Sequence, residues 1–253
     1  VIADIKSKNL DTVAISAAFS PMTPQPELDV AAQLRRVIPE VNITCSHSLG
    51  RLGLLERENA ALLNASLLKF ADSVASAFAD ALRQRGLKCR FFVSQNDGTL
   101  MDAEFVRQFP ALTFASGPTN SLRGACKLTG LNDAIVVDLG GTTADIGILQ
   151  GGFPRESNIV IDVVGVRTNF RMPDILALGL GGGSLVTDEG RSIGPESVGR
   201  NLVTQGLAFG GSVLTATDLL VAAGKATVGP NQCPVHLPAQ TVENGLRTIA
   251  SML

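Results

Sequence analysis

Asp138 and Asp145 stand on either side of the tetrapeptide Gly140-Gly141-Thr142-Thr143, within the stretch AIVVDLGGTTADIGIL at residues 134–149. Apolar runs flanking a Gly-Gly turn describe a β-hairpin. With the loop at 140–143, Leu139 pairs with Ala144 and the two aspartates face each other. Like charges so placed cost a sheet a few tenths of a kcal/mol or more, so the arrangement asks for a function. The tip offers main-chain N–H groups and two hydroxyls in one concavity, with glycine permitting positive φ and close approach of a phosphate. Two carboxylates alone would repel that phosphate. A hydrated Mg²⁺ reconciles them, because it binds one or two carboxylates together with nucleotide phosphates and keeps its waters. Asp138 and Asp145 are therefore candidate metal ligands, and Gly140, Gly141, Thr142 and Thr143 candidate phosphate holders.

A second glycine cluster, GLGGGS at 179–184, misses the dinucleotide fingerprint because position 184 is serine and no long helix follows. It reads as a nucleotide-facing turn in which Gly181, Gly182, Gly183 and Ser184 approach adenosine or phosphate, with a plain glycine-rich turn as the equal alternative. AAGKAT at 222–227 is no P-loop, since Leu219 occupies the place of its first glycine. Asp218 reads as an acid in the first turn of a helix. Asn64 reads as a hydrogen-bonded polar group within a core. His47 and His236 have no neighbouring ligand at metal spacing and read as loop or surface residues.

The elements that must position the hairpin alternate between strand and helix. Strands are expected at 12–19, 41–46, 89–95 and 111–116. Helices are expected at 27–37, at about 55–85 and at about 119–129. In the long helix Leu63, Leu67, Phe70, Val74, Phe78 and Leu82 follow 3–4 spacing and predict the core face. After the hairpin come strands near 159–164 and 174–180, an Asp/Gly/Ser-rich connector, and a capped helix at 215–224. An amphipathic helix closes the sequence, and both ends read as cut, as in an excised piece of a longer protein. This is an α/β chain with a change of domain near 116–134.

Composition narrows the function. Of the 253 residues 45% are hydrophobic and 17% charged, an ordinary globular balance. The net charge of −2 gives no electrostatic footprint for nucleic acid or an anionic membrane. The four cysteines form no CxxC pair, which argues against zinc and fits reduced thiols in the cytoplasm. No signal peptide or 18-residue apolar run occurs.

DLGGTTAD resembles the second phosphate-binding hairpin of the actin-like ATPase superfamily. More narrowly, SQNDGTLMDAEFVRQFPALTFASGPTNSLRGA (94–125), DAIVVDLGGTTADIGIL (133–149), LGLGGGSLV (178–186), IGPESVG (193–199) and TATDLLVAAG (215–224) resemble the hydantoinase A/oxoprolinase family in order and spacing. VAISAAFSPMTPQPE (13–27) and ERENAALLNASLL (56–68) extend the likeness over nearly the whole chain.

The resemblance implies an actin-like (ribonuclease H-like) ATPase fold in two lobes, residues 1–116 belonging to the first and 117–253 to the second, with GPTNSLRGA as a helix crossing between them. It implies ATP and Mg²⁺ as cofactors, with Asp138 and Asp145 as the catalytic carboxylates that organise the metal and an attacking water. The implied reaction is ATP-driven opening of a cyclic amide such as 5-oxoproline or a hydantoin, alongside a second subunit or domain. The implied alternatives are a ketone carboxylase subunit and a non-catalytic nucleotide-binding module.

In the superfamily the first phosphate hairpin opens the first lobe, and no second DxGGT motif occurs here. The resemblance thus implies a first lobe incomplete at its N-terminus and half of a phosphate clamp. The chain also departs from the family pattern. Thr143-Ala144 replaces a common Ser-Thr, Leu176 stands where a His is frequent, and RNLVTQGLAFGG replaces a Cys/Tyr-containing segment.

Overall fold

The structure is a computed structural model, and it describes residues 1–157, 161–163, 165–169, 171–229 and 232–253. In chain order the elements are α1 (Ile2–Ser7), β1 (Thr12–Ile15), α2 (Gln25–Val37), β2 (Asn42–Cys45), α3 (Leu54–Gln84), β3 (Phe92–Ser94), β4 (Leu100–Asp102), α4 (Ala103–Gln108) and α5 (Ser116–Thr129). There follow β5 (Ala134–Leu139), β6 (Ala144–Gln150), β7 (Phe153–Pro154), β8 (Ile161–Val163), β9 (Val166–Thr168) and β10 (Ile175–Leu178). The chain then forms β11 (Ser184–Thr187), β12 (Ser192–Ser197), α6 (Leu202–Gln205), α7 (Ala216–Ala222) and α8 (Ala239–Met252). Two compact units result: residues 1–132 with 149–174, and residues 133–148 with 175–253.

In the first unit β1 and β2 pair in parallel, Thr12 opposite Asn42 through Ile15 opposite Cys45. Parallel neighbours need a crossover, which α2 supplies. Ile5, Leu34 and Val41 form the core beneath them, with Val13, Ile15, Ile38 and Ile43 packed around. The long helix α3 contributes a different face from the one its large residues predict. Ala60, Ala61, Asn64, Ala65, Leu68, Ala71 and Ala75 are buried, whereas Phe70, Val74 and Phe78 are 68%, 50% and 52% exposed. Small side chains let the helix backbone approach its neighbours closely. The larger stripe instead borders an open apolar groove with Phe91 and Phe114.

The segment 111–116 is a helical turn and not the expected strand: Pro110–Thr113 is a 3₁₀ helix. Proline at a first helical position has no N–H to satisfy there. The Ala111 N–H donates to the Asn64 side-chain oxygen at 3.1 Å. Asn64 also donates to Thr44 Oγ1 at 3.0 Å and to the Gln108 carbonyl at 2.9 Å, so it is the satisfied core group its setting suggested. Of the strand expected near 159–164, residues 159, 160 and 164 lie outside the described residues, and 161–163 pair with β9.

The second unit is built on the sheet order β10–β6–β5, with β5 at its edge. β10 runs antiparallel to β6, Ala177 opposite Asp145. The expected connector contains a strand pair, β11 with β12. Leu180, Val186, Ile193, Ala216 and Leu219 form the core, covered by Ile249 and Met252 of α8. Asp218 is fully buried and closes the start of α7, accepting from the Thr215 N–H and hydroxyl at 2.8 Å and from the Ala208 N–H at 2.7 Å. That is a capping box, the structural role its position suggested.

Candidate functional site

The hairpin forms as its sequence requires. The Gly140 N–H donates to the Thr143 carbonyl at 2.8 Å and closes the turn. Neither Gly140 nor Gly141 uses positive φ, so their value lies in open space: a Cβ on Gly141 would meet nothing within 4 Å. Gly140 to Thr143 are exposed, and Asp138 and Asp145 are half-buried on the two strands just behind them. Burial first, and then the charge of Asp138, raise the Asp145 carboxyl above its ordinary range. A cation between the pair would relieve that strain.

The second glycine cluster meets the tip from behind. Gly182 N–H donates to the Gly140 carbonyl at 3.0 Å, and Gly183 N–H to the Gly141 carbonyl at 2.7 Å. Ser197 Oγ donates to the same Gly141 oxygen at 3.3 Å. A peptide group is planar and trans, so its N–H points opposite to its C=O. Pinning the carbonyls of Gly140 and Gly141 toward the cluster therefore turns the N–H groups of Gly141 and Thr142 the other way. Those N–H groups and that of Thr143 take no acceptor among the described residues. The tip presents three donors with two of their directions fixed.

The four N–H groups of Gly181 to Ser184 are all used within this unit. Gly181 donates to Ser184 Oγ at 2.9 Å and Ser184 to the Gly181 carbonyl at 3.0 Å. Gly181 lies so close that a Cβ would fall 2.5 Å from Thr142 N and 2.6 Å from the Gly141 carbonyl carbon. Thr217 in turn grips the Gly182 carbonyl through its N–H at 2.9 Å and its hydroxyl at 2.8 Å. Asp218, Thr217, Gly182 and Gly140 thus form one positioning chain from the start of α7 to the tip.

The profile of the hydantoinase/oxoprolinase family matches residues 57–251. The chain belongs to that family. Caprolactamase subunit alpha from Pseudomonas jessenii is 28% identical, covering 87% of this chain and 32% of that one. The acetophenone carboxylase gamma subunit from Aromatoleum aromaticum is 26% identical over 84% of this chain and 30% of its own. The chain spans about a third of the length of the curated relatives it matches. The crystal structure of ATP-dependent caprolactamase from Pseudomonas jessenii superposes with a TM-score of 0.75 at 25% identity, over 98% of this chain and 37% of that chain. Nucleotide-free acetone carboxylase gives a TM-score of 0.61 at 20% identity, over 97% of this chain and 36% of its own. The fold is accordingly the α/β, actin-like ATPase type that the family motifs implied.

The first unit of this family member holds a polar cluster around His47, where spacing along the sequence predicts only a loop or surface residue. Glu27 is fully buried. Its carboxylate accepts from Ala17 N–H at 2.9 Å, Ser46 Oγ at 2.6 Å and His47 N–H at 3.0 Å, and lies 2.7 Å from His47 Nδ1. Burial acts to raise its pKa, but the bonds from Ser46, the His47 main chain, Ser20 and the His47 ring overcome it and bring it down to about 2. Buried Arg57 donates to Ser46 Oγ at 3.0 Å and to the Ala17 carbonyl at 2.6 Å. Glu27, Cys45 and His47 bring ligand atoms within 4.8 Å of one another, a grouping that sequence spacing hid because β2 and α2 are separated along the chain.

Proposed function

We propose that this chain is the phosphate-handling part of an ATP-dependent amidohydrolase that opens a cyclic amide. The observation that carries the reading is the hairpin tip, where the carbonyls of Gly140 and Gly141 are pinned back and the N–H groups of Gly141, Thr142 and Thr143 take no acceptor among the described residues, set beside the Asp138–Asp145 pair. Gly141, Thr142 and Thr143 would donate to nucleotide phosphates, and Asp138 and Asp145 would hold Mg²⁺ and orient an attacking water. When bound, ATP would supply a phosphoryl group to the amide oxygen, making the carbonyl carbon electrophilic enough for water to add and the ring C–N bond to break with release of phosphate, chemistry that asks the protein mainly for positioning and charge neutralisation. Gly181 to Ser184 act in this reading as the support that aims the tip, and not as phosphate donors, because their N–H groups are already used. The second unit is then the phosphate-holding lobe.

The lactam reading is supported by caprolactamase among the relatives, and its subunit designation supports a second subunit as partner. All four cysteines are free thiols, which fits a cytoplasmic setting. No helix among the described residues is long and apolar enough to cross a membrane. The test is Mg²⁺-dependent ATP hydrolysis by the intact protein with its partner subunit, stimulated by a panel of 5-oxoproline, hydantoins and lactams. Absence of stimulation by every compound rejects the substrate class.

A ketone carboxylase is the second reading, supported by the acetophenone carboxylase subunit at comparable identity. ATP use that requires both bicarbonate and a ketone would replace the first reading with this one. ATP binding with no substrate-stimulated turnover would instead leave a nucleotide-binding module.

A further inference from the structure

The segment RNLVTQGLAFGG begins at Arg200, and the phosphate reading above leaves it without a role. Arg200 is the middle residue of a short 3₁₀ turn, Gly199–Asn201, one residue beyond the end of β12. That turn is fastened to the phosphate hairpin and its supporting loop, all within the second unit. Val198 N–H donates to the Gly183 carbonyl at 2.9 Å, and Asn201 N–H closes the turn on the Val198 carbonyl at 3.0 Å. Ser197 Oγ accepts from Gly199 N–H at 3.0 Å while donating to the Gly141 carbonyl at 3.3 Å. A Cβ on Gly199 would lie 3.7 Å from the Thr142 methyl, so the residue before Arg200 packs beside the tip.

Arg200 is exposed, and its guanidinium has no hydrogen bond or ion pair among the described residues. The other two arginines of this unit, Arg191 and Arg247, pair with Asp188 and Glu243. An unspent cation therefore stands one residue from a turn that touches Thr142. Electrostatics gives it a use. The carboxylates behind the tip are Asp138 and Asp145, and one Mg²⁺ offsets that pair while leaving the phosphates' own charge to main-chain dipoles. A guanidinium is always charged, and its planar fork matches two phosphate oxygens. We infer that Arg200 is a phosphate-contacting residue, its guanidinium donating to an oxygen of the nucleotide phosphates held by Gly141, Thr142 and Thr143. This role rests on the phosphate reading above for its ligand and extends the site to a residue outside the hairpin.

The test is calorimetric titration of the intact protein, with its partner subunit, with Mg-ATP. Arg200→Gln should weaken binding by about tenfold or more, as loss of a hydrogen bond from a charged group does. Arg200→Lys keeps the charge and loses the fork, so it should weaken binding by only about threefold. Raising the salt from about 0.05 M to about 0.3 M should weaken wild-type binding more steeply than that of Arg200→Gln, because one charge contact is gone in the variant. Both variants should keep the wild-type thermal midpoint, since the side chain holds nothing in place. Unchanged Mg-ATP affinity in Arg200→Gln overturns the role. An equal loss in Arg200→Lys and Arg200→Gln, accompanied by a lowered midpoint, also overturns it and makes the residue structural. Asp138→Asn separates this role from the reading it rests on. If Asp138→Asn abolishes binding and Arg200→Gln does not weaken it, the phosphate site stands and Arg200 is rejected. A wild-type protein that fails to bind Mg-ATP rejects both.

Discussion

The carbonyl oxygen of Gly141 accepts the N–H of Gly183 at 2.7 Å, and through that bond a loop distant in sequence sets the direction in which Thr142 donates. Phosphate recognition by main-chain groups depends on direction as much as on number, because a peptide dipole free to rotate gives up its gain in ordering entropy on binding.

Gly181→Ala and Gly141→Ala separate aim from access. A Cβ at 181 would sit 2.5 Å from Thr142 N, against backbone that cannot yield cheaply, so this variant should lose about 1–3 kcal/mol of stability. At 141 the Cβ meets nothing within 4 Å, so stability should change by less than about 0.5 kcal/mol. Both should weaken Mg-ATP binding by about tenfold or more, equivalent to about 1.4 kcal/mol. Calorimetry paired with urea unfolding checks both halves.

Asp138→Asn should stabilise the nucleotide-free chain while abolishing Mg-ATP binding. Removing one of two like charges on adjacent strands recovers about 0.5 kcal/mol, and the Asp145 carboxyl should titrate lower once its neighbour is neutral. For Asp145 the folded pKa is raised, so its ionisation disfavours folding. That penalty is absent below its unfolded value and grows as pH rises through the folded one. Carboxyl ¹³C titration and chemical denaturation measure the two effects.

Glu27 has the opposite sign. Its folded pKa of about 2 lies below the ordinary 4.5, so it contributes stability that is complete above the unfolded value and lost as pH falls from about 4.5 toward 2. The contribution is about 3 kcal/mol on the usual conversion of pKa difference to free energy. Glu27→Gln should flatten the stability profile across this acid window, which unfolding curves at stepped pH will show.

Asp218→Ala should cost about 2–3 kcal/mol, because it removes a helix cap and leaves the buried N–H groups of Ala208 and Thr215 without their acceptor. Thr217→Val, which removes only the 2.8 Å hydroxyl bond to Gly182, should cost about 1 kcal/mol. If the positioning chain acts as described, Thr217→Val also weakens Mg-ATP binding more than its stability cost alone explains.

The sequence made the hairpin, the helix cap at Asp218 and the core role of Asn64 legible, because each depends on residue chemistry within a few positions. It misjudged α3, where large side chains dominate a periodicity argument while alanines form the buried face. It also misjudged residues 111–116, where Asn64 on another element supplies the acceptor that favours a helical turn. The Glu27–His47 pair was invisible for the same reason: its members meet only through the pairing of β1 and β2 and the crossover between them.

Transplanting Asp138 to Asp145 into a foreign hairpin would move the proposed phosphate donors without the bonds that aim them. The portable unit is the hairpin together with the 181–184 loop and the Thr217 end of α7 that braces it. A designer copying only the recognisable motif would obtain donors that point wherever the new scaffold lets them.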